Sequence, residues 1–115
     1  MTNILIADDH DLVRDTIAAY LETVDSFKVF TAHDLASALE VMSGVDSMDL
    51  LILDYNMPGM NGLQGLERAC TSYPATKVAL MSGVANREIA NNAMERNARG
   101  FIPKSLSANS FINAI

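Results

Sequence analysis

Short, largely apolar runs alternate along the chain with longer segments in which apolar residues recur at helical spacing. The apolar runs cover residues 3–7, 28–31, 50–53, 77–81 and 100–102. Because these runs do not alternate apolar with polar residues, they are typical of strands covered on both faces, as in a parallel sheet. A helical segment follows each run, which predicts a doubly wound α/β domain with five parallel strands and right-handed crossovers.

The helical segments have apolar residues three or four positions apart and polar or glycine residues ahead of them. Asp11 and Asp34 are the predicted N-caps of the first two helices. The other three helices are expected after Gly62, Asn86 and Ser107. The fifth pattern is still running when the sequence stops at Ile115. We therefore expect residues 1–115 to form one domain whose fifth helix is cut short, as in a fragment of a longer protein.

Composition and charge narrow the class of protein. Of the 115 residues, 50% are hydrophobic and 19% are charged, as in an ordinary globular domain. The net charge of -6 repels nucleic acid and anionic membranes, so DNA is not expected as a direct ligand. The apolar runs are far shorter than the roughly 20 residues that cross a bilayer. With a single cysteine, Cys70, and no signal-peptide pattern, we expect a reduced, cytoplasmic protein.

Polar residues stand at the ends of four predicted strands. Asp8 and Asp9 follow the first strand, Asp54 the third and Ser82 the fourth, and Lys104 comes just after the fifth. Taken singly, each has an ordinary role as a turn, cap or solvated residue. The carboxyl ends of parallel strands meet at one rim, however, and ligands of such sheets bind there. The five side chains are therefore expected to form one site.

Three carboxylates at one rim call for a cation. They repel one another, and at least one would take up a proton unless a positive charge lay between them. Hard oxygen ligands that leave several positions to water and phosphate suit Mg²⁺. We expect Asp9 and Asp54 to bind the ion directly and Asp8 to act through water. The backbone carbonyl of Asn56 completes the predicted protein ligands.

The same residues suit phosphoryl transfer. In this interpretation, the Asp54 carboxylate attacks a phosphorus atom and forms an acyl phosphate. The metal and Lys104 would stabilise charge on the phosphoryl oxygens, and the Ser82 hydroxyl would donate a hydrogen bond to one of them. Asp54 ends a buried strand, so the sheet would fix the direction of the attacking carboxylate.

Four stretches together resemble the receiver domain of bacterial two-component response regulators. They are ILIADDH, LILDYNMPGMNGL, ALMSG and GFIPKS. The resemblance covers essentially the whole chain. It implies a flavodoxin-like sheet with strand order 2-1-3-4-5, as in CheY. It further implies these site residues: Asp54 as phosphoacceptor, Asp8 and Asp9 as the acidic pocket, Ser82 as switch hydroxyl, Lys104 as the phosphate-binding lysine and Phe101 as switch aromatic.

The resemblance also implies partners. In this family the phosphoryl group comes from a phosphohistidine on a sensor histidine kinase, and the receiver catalyses only its own phosphorylation and dephosphorylation. The stretches ADDHDLVR and MPGMNGL are most similar to regulators of the LuxR and NarL type. Those regulators carry a helix-turn-helix DNA-binding domain after the receiver. A transcriptional output domain in a longer chain, and a homodimer formed on phosphorylation, are therefore expected.

Two other functions remain as alternatives. Phosphohydrolases of the haloacid dehalogenase type also use a strand-end aspartate and Mg²⁺, but their Asp-x-Asp motif supplies a general acid where this chain has Asn56. A receiver-like interaction module that is not phosphorylated is the second, although the complete acidic set with Ser82 and Lys104 argues against it. A nucleotide-binding enzyme is excluded, because neither G-x-G-x-x-G nor a Walker A pattern follows the first strand.

The histidines and two methionines are assigned ordinary roles. His10 and His33 are expected to be solvated or to cap helices rather than to bind metal. Met57 and Met60 flank Pro58 in a loop that we expect to be exposed and open to a partner.

Overall fold

The structure is a computed structural model that describes residues 2–83 and 87–103. Strands and helices alternate along the described chain. The elements are β1 (Thr2–Ala7), α1 (Asp11–Glu22), β2 (Phe27–Ala32), α2 (Leu35–Gly44), β3 (Leu50–Asp54), α3 (Gln64–Ser72), β4 (Lys77–Ser82), α4 (Arg87–Glu95) and β5 (Gly100–Pro103). The predicted fifth helix, the Asn86 cap and Lys104 lie outside the described residues.

The five strands form one parallel sheet in the order β2-β1-β3-β4-β5. This confirms the predicted fold class and strand order. The chain winds outward from β1 in both directions, so β1 and β3 lie side by side at the point where the winding reverses. In sheets of this kind, that point is where ligands bind.

Helices cover both faces of the sheet. Successive side chains of a strand point to opposite faces, so each buried run supplies two cores. Leu5, Leu53 and Leu80 face a cluster that includes buried side chains of α2, α3 and α4. Ile6 and Met81 face a second cluster, which contains buried side chains of α1. Burial on both faces of β1, β3 and β4 explains why these three strands show no polar alternation in the sequence.

The starts of the first two helices differ in how well the sequence predicts them. The Asp34 cap is confirmed, since its Oδ1 accepts a hydrogen bond of 2.7 Å from the backbone N–H of Ser37. Hydrogen bonds from the Ser37 hydroxyl and N–H lower the pKa of the Asp34 carboxyl. The Asp11 cap is wrong, because His10 holds that position and Asp11 is the first helical residue. There its carboxylate pairs with Arg14 at 3.0 Å.

Two methionines of the loop after β3 are buried in the core, contrary to the expectation that they are exposed. Met57 and Met60 are both buried, and each packs into the cluster on the α2 to α4 face. The backbone of the loop is also tied to α2, since the N–H of Leu35 donates to the Pro58 carbonyl at 3.1 Å. Gly59 has a φ of +91°, and a Cβ on it would lie 3.0 Å from the Leu35 Cβ. The flexible thioether side chains fill the space that this folded loop encloses.

Replacing Gly65 by alanine is expected to destabilise the fold by about 1 to 3 kcal/mol, the range for overpacking a filled core. A Cβ at this position would lie 2.8 Å from the Cα of Met60, and backbone cannot easily move aside. Gly44→Ala is the matched control. Apart from its chain neighbours and the backbone of its own helix, no described atom lies within 4 Å of a Cβ built at this position. We expect that control to be neutral or to gain up to about 1 kcal/mol from helix propensity.

Urea unfolding of the two variants and the wild type measures both free energies. Equal stability of Gly65→Ala and the wild type would contradict the packing described between α3 and the loop.

No helix of the described part of the chain combines the length and the apolar character needed to cross a bilayer.

Candidate functional site

Asp54 is held rigidly at the rim of the sheet. It is the last residue of β3, which pairs with β1 on one side and β4 on the other. Its side chain is fully buried. The next residue continues the link to β4, since the N–H of Tyr55 donates to the Met81 carbonyl at 2.8 Å. The backbone on both sides of Asp54 is therefore fixed by hydrogen bonds, and the sheet sets the direction of its carboxylate.

Two further acids follow β1. The N–H of Asp8 donates to the Ala32 carbonyl at 3.0 Å, which extends the pairing of β1 with β2 by one residue. The Asp8 side chain is fully buried, whereas the Asp9 side chain is 35% exposed. The neighbouring acids thus differ in access to water, with Asp8 at the floor of the site and Asp9 at its opening.

The register of the sheet brings these acids to Asp54. Ala7 pairs with Leu53, so the residues that follow them, Asp8 and Asp54, leave adjacent strands at the same level. One oxygen from each of Asp8, Asp9 and Asp54 and a ring nitrogen of His10 all lie within 4.8 Å of one another. Three carboxylate oxygens at this spacing form a hard donor set of the kind that Mg²⁺ prefers. The residues present therefore fit such an ion.

His10 is the member of the site that sequence reasoning missed. It occupies the N-cap position of α1, where within residues 2–83 its side chain gives no capping hydrogen bond, and the side chain is 61% exposed, so of the two expected roles the solvated one agrees with the structure. Its Nδ1 lies 3.2 Å from Asp8 Oδ1, 3.4 Å from Asp9 Oδ1 and 3.9 Å from Asp54 Oδ2. The signal in the sequence was only its position next to the acidic pair. His33, by comparison, lies beside Asp34, with its Nε2 3.5 Å from a carboxylate oxygen.

Ser82 and Phe101 lie on the side of the site formed by β4 and β5. Ser82 is buried at the end of β4, next to the strand that carries Asp54. It pairs with Pro103, the residue before Lys104. Phe101 pairs with Leu80, is partly buried and packs against the cluster on the α2 to α4 face.

The structure thus brings together Asp8, Asp9 and Asp54 and places Ser82 at the neighbouring strand end. Asn56 is exposed in the turn two residues after Asp54. The ligand role of its carbonyl and the switch roles of Ser82 and Phe101 stay predictions. Lys104 lies outside the described residues, so its predicted role also stays a prediction.

Comparison with known proteins agrees with this geometry. The family model described as response regulator receiver domain matches residues 4–115. The chain is 38% identical over 118 aligned residues to the glycerol metabolism activator of Pseudomonas putida. The alignment covers 100% of this chain and 52% of the relative. A second relative, the transcriptional regulatory protein LnrK of Bacillus subtilis, is also covered over 52% of its length. The chain thus spans about half the length of the first curated relatives it matches.

Two solved structures are similar over nearly the whole chain. The signal receiver domain of the response regulator NarL from Mycobacterium tuberculosis is 33% identical, with a TM-score of 0.87 over 98% of this chain and 91% of that one. A LuxR family DNA-binding response regulator from Silicibacter pomeroyi is 34% identical, with a TM-score of 0.86 over 99% of this chain and 88% of that one. These likenesses confirm the predicted resemblance to receivers of the LuxR and NarL type. The chain belongs to the response regulator receiver domain family.

Proposed function

We propose that residues 1–115 act as one receiver domain, a signalling switch in which Asp54 accepts a phosphoryl group. The observation that carries this proposal is the buried carboxylate of Asp54 at a rigid strand end, with one oxygen of each of Asp8 and Asp9 within 4.8 Å of it. A carboxylate that served only as a turn residue would be solvated, and it would not share its surroundings with two other acids.

The acidic cluster is the proposed site of a Mg²⁺ ion. Asp9 and Asp54 are the direct ligands, Asp8 acts through a bound water, and the carbonyl of Asn56 adds a further oxygen. The ion supplies positive charge that offsets the repulsion between carboxylates and stabilises charge on phosphoryl oxygens. Burial of Asp8 and Asp54 supports this assignment, because carboxylates held together away from water are stable as anions only near a cation.

The chemical step is a displacement at phosphorus. One Asp54 carboxylate oxygen attacks the phosphorus atom of a phosphohistidine, and a new O–P bond forms as the P–N bond breaks. The electron pair of the P–N bond stays on the imidazole nitrogen of the donor. The sheet contributes by holding the attacking oxygen in a fixed direction. Lys104 and the Ser82 hydroxyl bind phosphoryl oxygens, which stabilises the charge that spreads over them.

Phosphorylation changes the shape of one face. The phosphoryl group adds negative charge and strong acceptors, so the Ser82 hydroxyl moves towards it. That movement opens space behind β4, and the partly buried Phe101 turns into it. The face built from α4, β5 and the predicted fifth helix then differs between the two states, and a partner that binds one of them better reads the signal.

The proposed partners follow from the family. A sensor histidine kinase donates the phosphoryl group in the cytoplasm, and the domain catalyses only its own phosphorylation and dephosphorylation. A helix-turn-helix output domain in a longer chain would regulate transcription, with a homodimer formed on phosphorylation. The name of the Silicibacter pomeroyi relative, which is a DNA-binding response regulator, supports this output. The chain's span of about half its curated relatives leaves room for such a domain.

Incubation with Mg²⁺ and acetyl phosphate tests the proposal. We expect intact-mass measurement to find one phosphoryl adduct per chain, which disappears at alkaline pH as acyl phosphates do and which does not form when EDTA removes the metal. Continuous hydrolysis of unrelated phosphomonoesters would favour the phosphohydrolase alternative instead. No adduct with acetyl phosphate or with a phosphorylated kinase would favour the interaction module.

A further inference from the structure

The position of His10 goes beyond the proposed Mg²⁺ site. Its side chain is 61% exposed, yet its Nδ1 lies over the acidic cluster rather than turned to bulk water. The backbone around it is fixed: the His10 N–H donates to Asp8 Oδ1 at 2.9 Å, and the Arg14 N–H donates to the His10 carbonyl at 2.9 Å. The start of α1 therefore fixes the backbone from which the imidazole extends over the opening of the site.

The distances suit a ring nitrogen that shares an ion with the carboxylates. An octahedral ion with bonds of about 2.1 Å separates neighbouring ligand atoms by about 3.0 Å and opposite ones by about 4.2 Å. His10 Nδ1 lies 3.4 Å from Asp9 Oδ1 and 3.9 Å from Asp54 Oδ2, the two proposed direct ligands. The first is about 0.4 Å longer than the separation of neighbouring ligand atoms, and the second is about 0.3 Å shorter than that of opposite ones. One ion can therefore contact all three side chains after small movements.

We propose that His10 Nδ1 is a further ligand of this site, which gives the site a preference for divalent first-row transition ions over Mg²⁺. Mg²⁺ binds almost entirely through oxygen ligands, whereas imidazole nitrogen is a good ligand for ions such as Mn²⁺, Co²⁺ and Zn²⁺. A set of carboxylates with one imidazole therefore raises the affinity for transition ions and leaves that for Mg²⁺ nearly unchanged. The inference rests on the proposed function in so far as both use the same acidic cluster.

Isothermal titration of the wild type, His10→Ala and His33→Ala with Co²⁺ and with Mg²⁺ tests this inference. His33→Ala is the matched control, since His33 is exposed and lies beside Asp34 rather than in the cluster. We expect His10→Ala to weaken Co²⁺ binding by about 10- to 100-fold. Removing a residue that only hydrogen-bonds to a metal ligand already causes a loss of this size. The same variant should change Mg²⁺ affinity by less than about threefold. His33→Ala should match the wild type with both ions.

A second measurement needs no variant. Mn²⁺ bound to the wild type should show electron spin echo modulation from a directly coordinated nitrogen. Absence of that modulation, or equal Co²⁺ affinity of His10→Ala and the wild type, would overturn the role of His10 while leaving the receiver function intact. Failure of the adduct with both acetyl phosphate and a phosphorylated kinase, with normal Co²⁺ binding through His10, would overturn the proposed phosphorylation alone.

Discussion

Asp54→Asn is expected to abolish the phosphoryl adduct completely. The amide that replaces the carboxylate has nearly the same shape, so the buried end of β3 keeps its packing, but an amide oxygen is a far weaker nucleophile than a carboxylate oxygen. We expect the adduct at this position because Asp54 is fully buried at the end of β3, a strand that is paired on both sides. Intact-mass measurement after incubation with acetyl phosphate and Mg²⁺ reads the result directly.

Asp46→Asn is the matched control for this variant. Asp46 is exposed in the connection between α2 and β3, before the amino-terminal end of β3 and thus at the opposite end of that strand from Asp54. The same chemical change there should leave the yield and the rate of adduct formation as in the wild type. An adduct of normal yield on Asp54→Asn would assign the phosphoryl group to another residue and would remove the basis of the proposed switch.

Leu53→Ala is expected to lower the free energy of unfolding by about 2 to 5 kcal/mol, the range for truncating a buried leucine. Leu53 is fully buried in the central strand and faces the cluster on the α2 to α4 side. Its neighbours belong to several different elements, so they cannot all move in to fill the cavity. Urea unfolding followed by circular dichroism measures the loss.

Leu12→Ala is the control that shows whether the loss of stability comes from burial of the leucine rather than from removing a leucine as such. Leu12 is 81% exposed on α1, so the same truncation removes little buried surface there. Alanine also has a helix propensity at least equal to that of leucine, and we expect a change within about 0.5 kcal/mol. A loss for Leu53→Ala as small as that for Leu12→Ala would contradict the described position of β3 at the centre of the sheet.

The sequence is sufficient to predict the sheet, because burial on both faces leaves a run of apolar residues that few other structures require. Helix starts are predicted less well. The cap at Asp34 is confirmed, because its carboxylate accepts hydrogen bonds from the N–H and the hydroxyl of Ser37. At Asp11 the same reasoning was wrong, because an acid also suits the first turn of a helix, where the dipole favours it.

Some residues of the candidate site can likewise be predicted from the sequence, and others cannot. Asp8, Asp9 and Asp54 follow from the rule that the carboxyl ends of parallel strands meet at one rim, and the observed register places Asp8 level with Asp54. The position of His10 does not follow, because it depends on the backbone path between β1 and α1 and on the rotamer of one exposed ring. Burial of Met57 was also hidden, since a Pro-Gly loop is usually exposed and methionine is compatible with either environment.

The loop after Asp54 is anchored both to the core and to α2, which makes its side of the rim resistant to displacement. Its methionines are packed into the core, and its Pro58 carbonyl is bonded to the first residue of α2. Displacing this loop would require opening the interior beneath it, which costs far more than rotating a partly buried ring on β5. In the proposed switch, a change that starts at Asp54 would therefore pass across β4 towards β5 rather than through this loop.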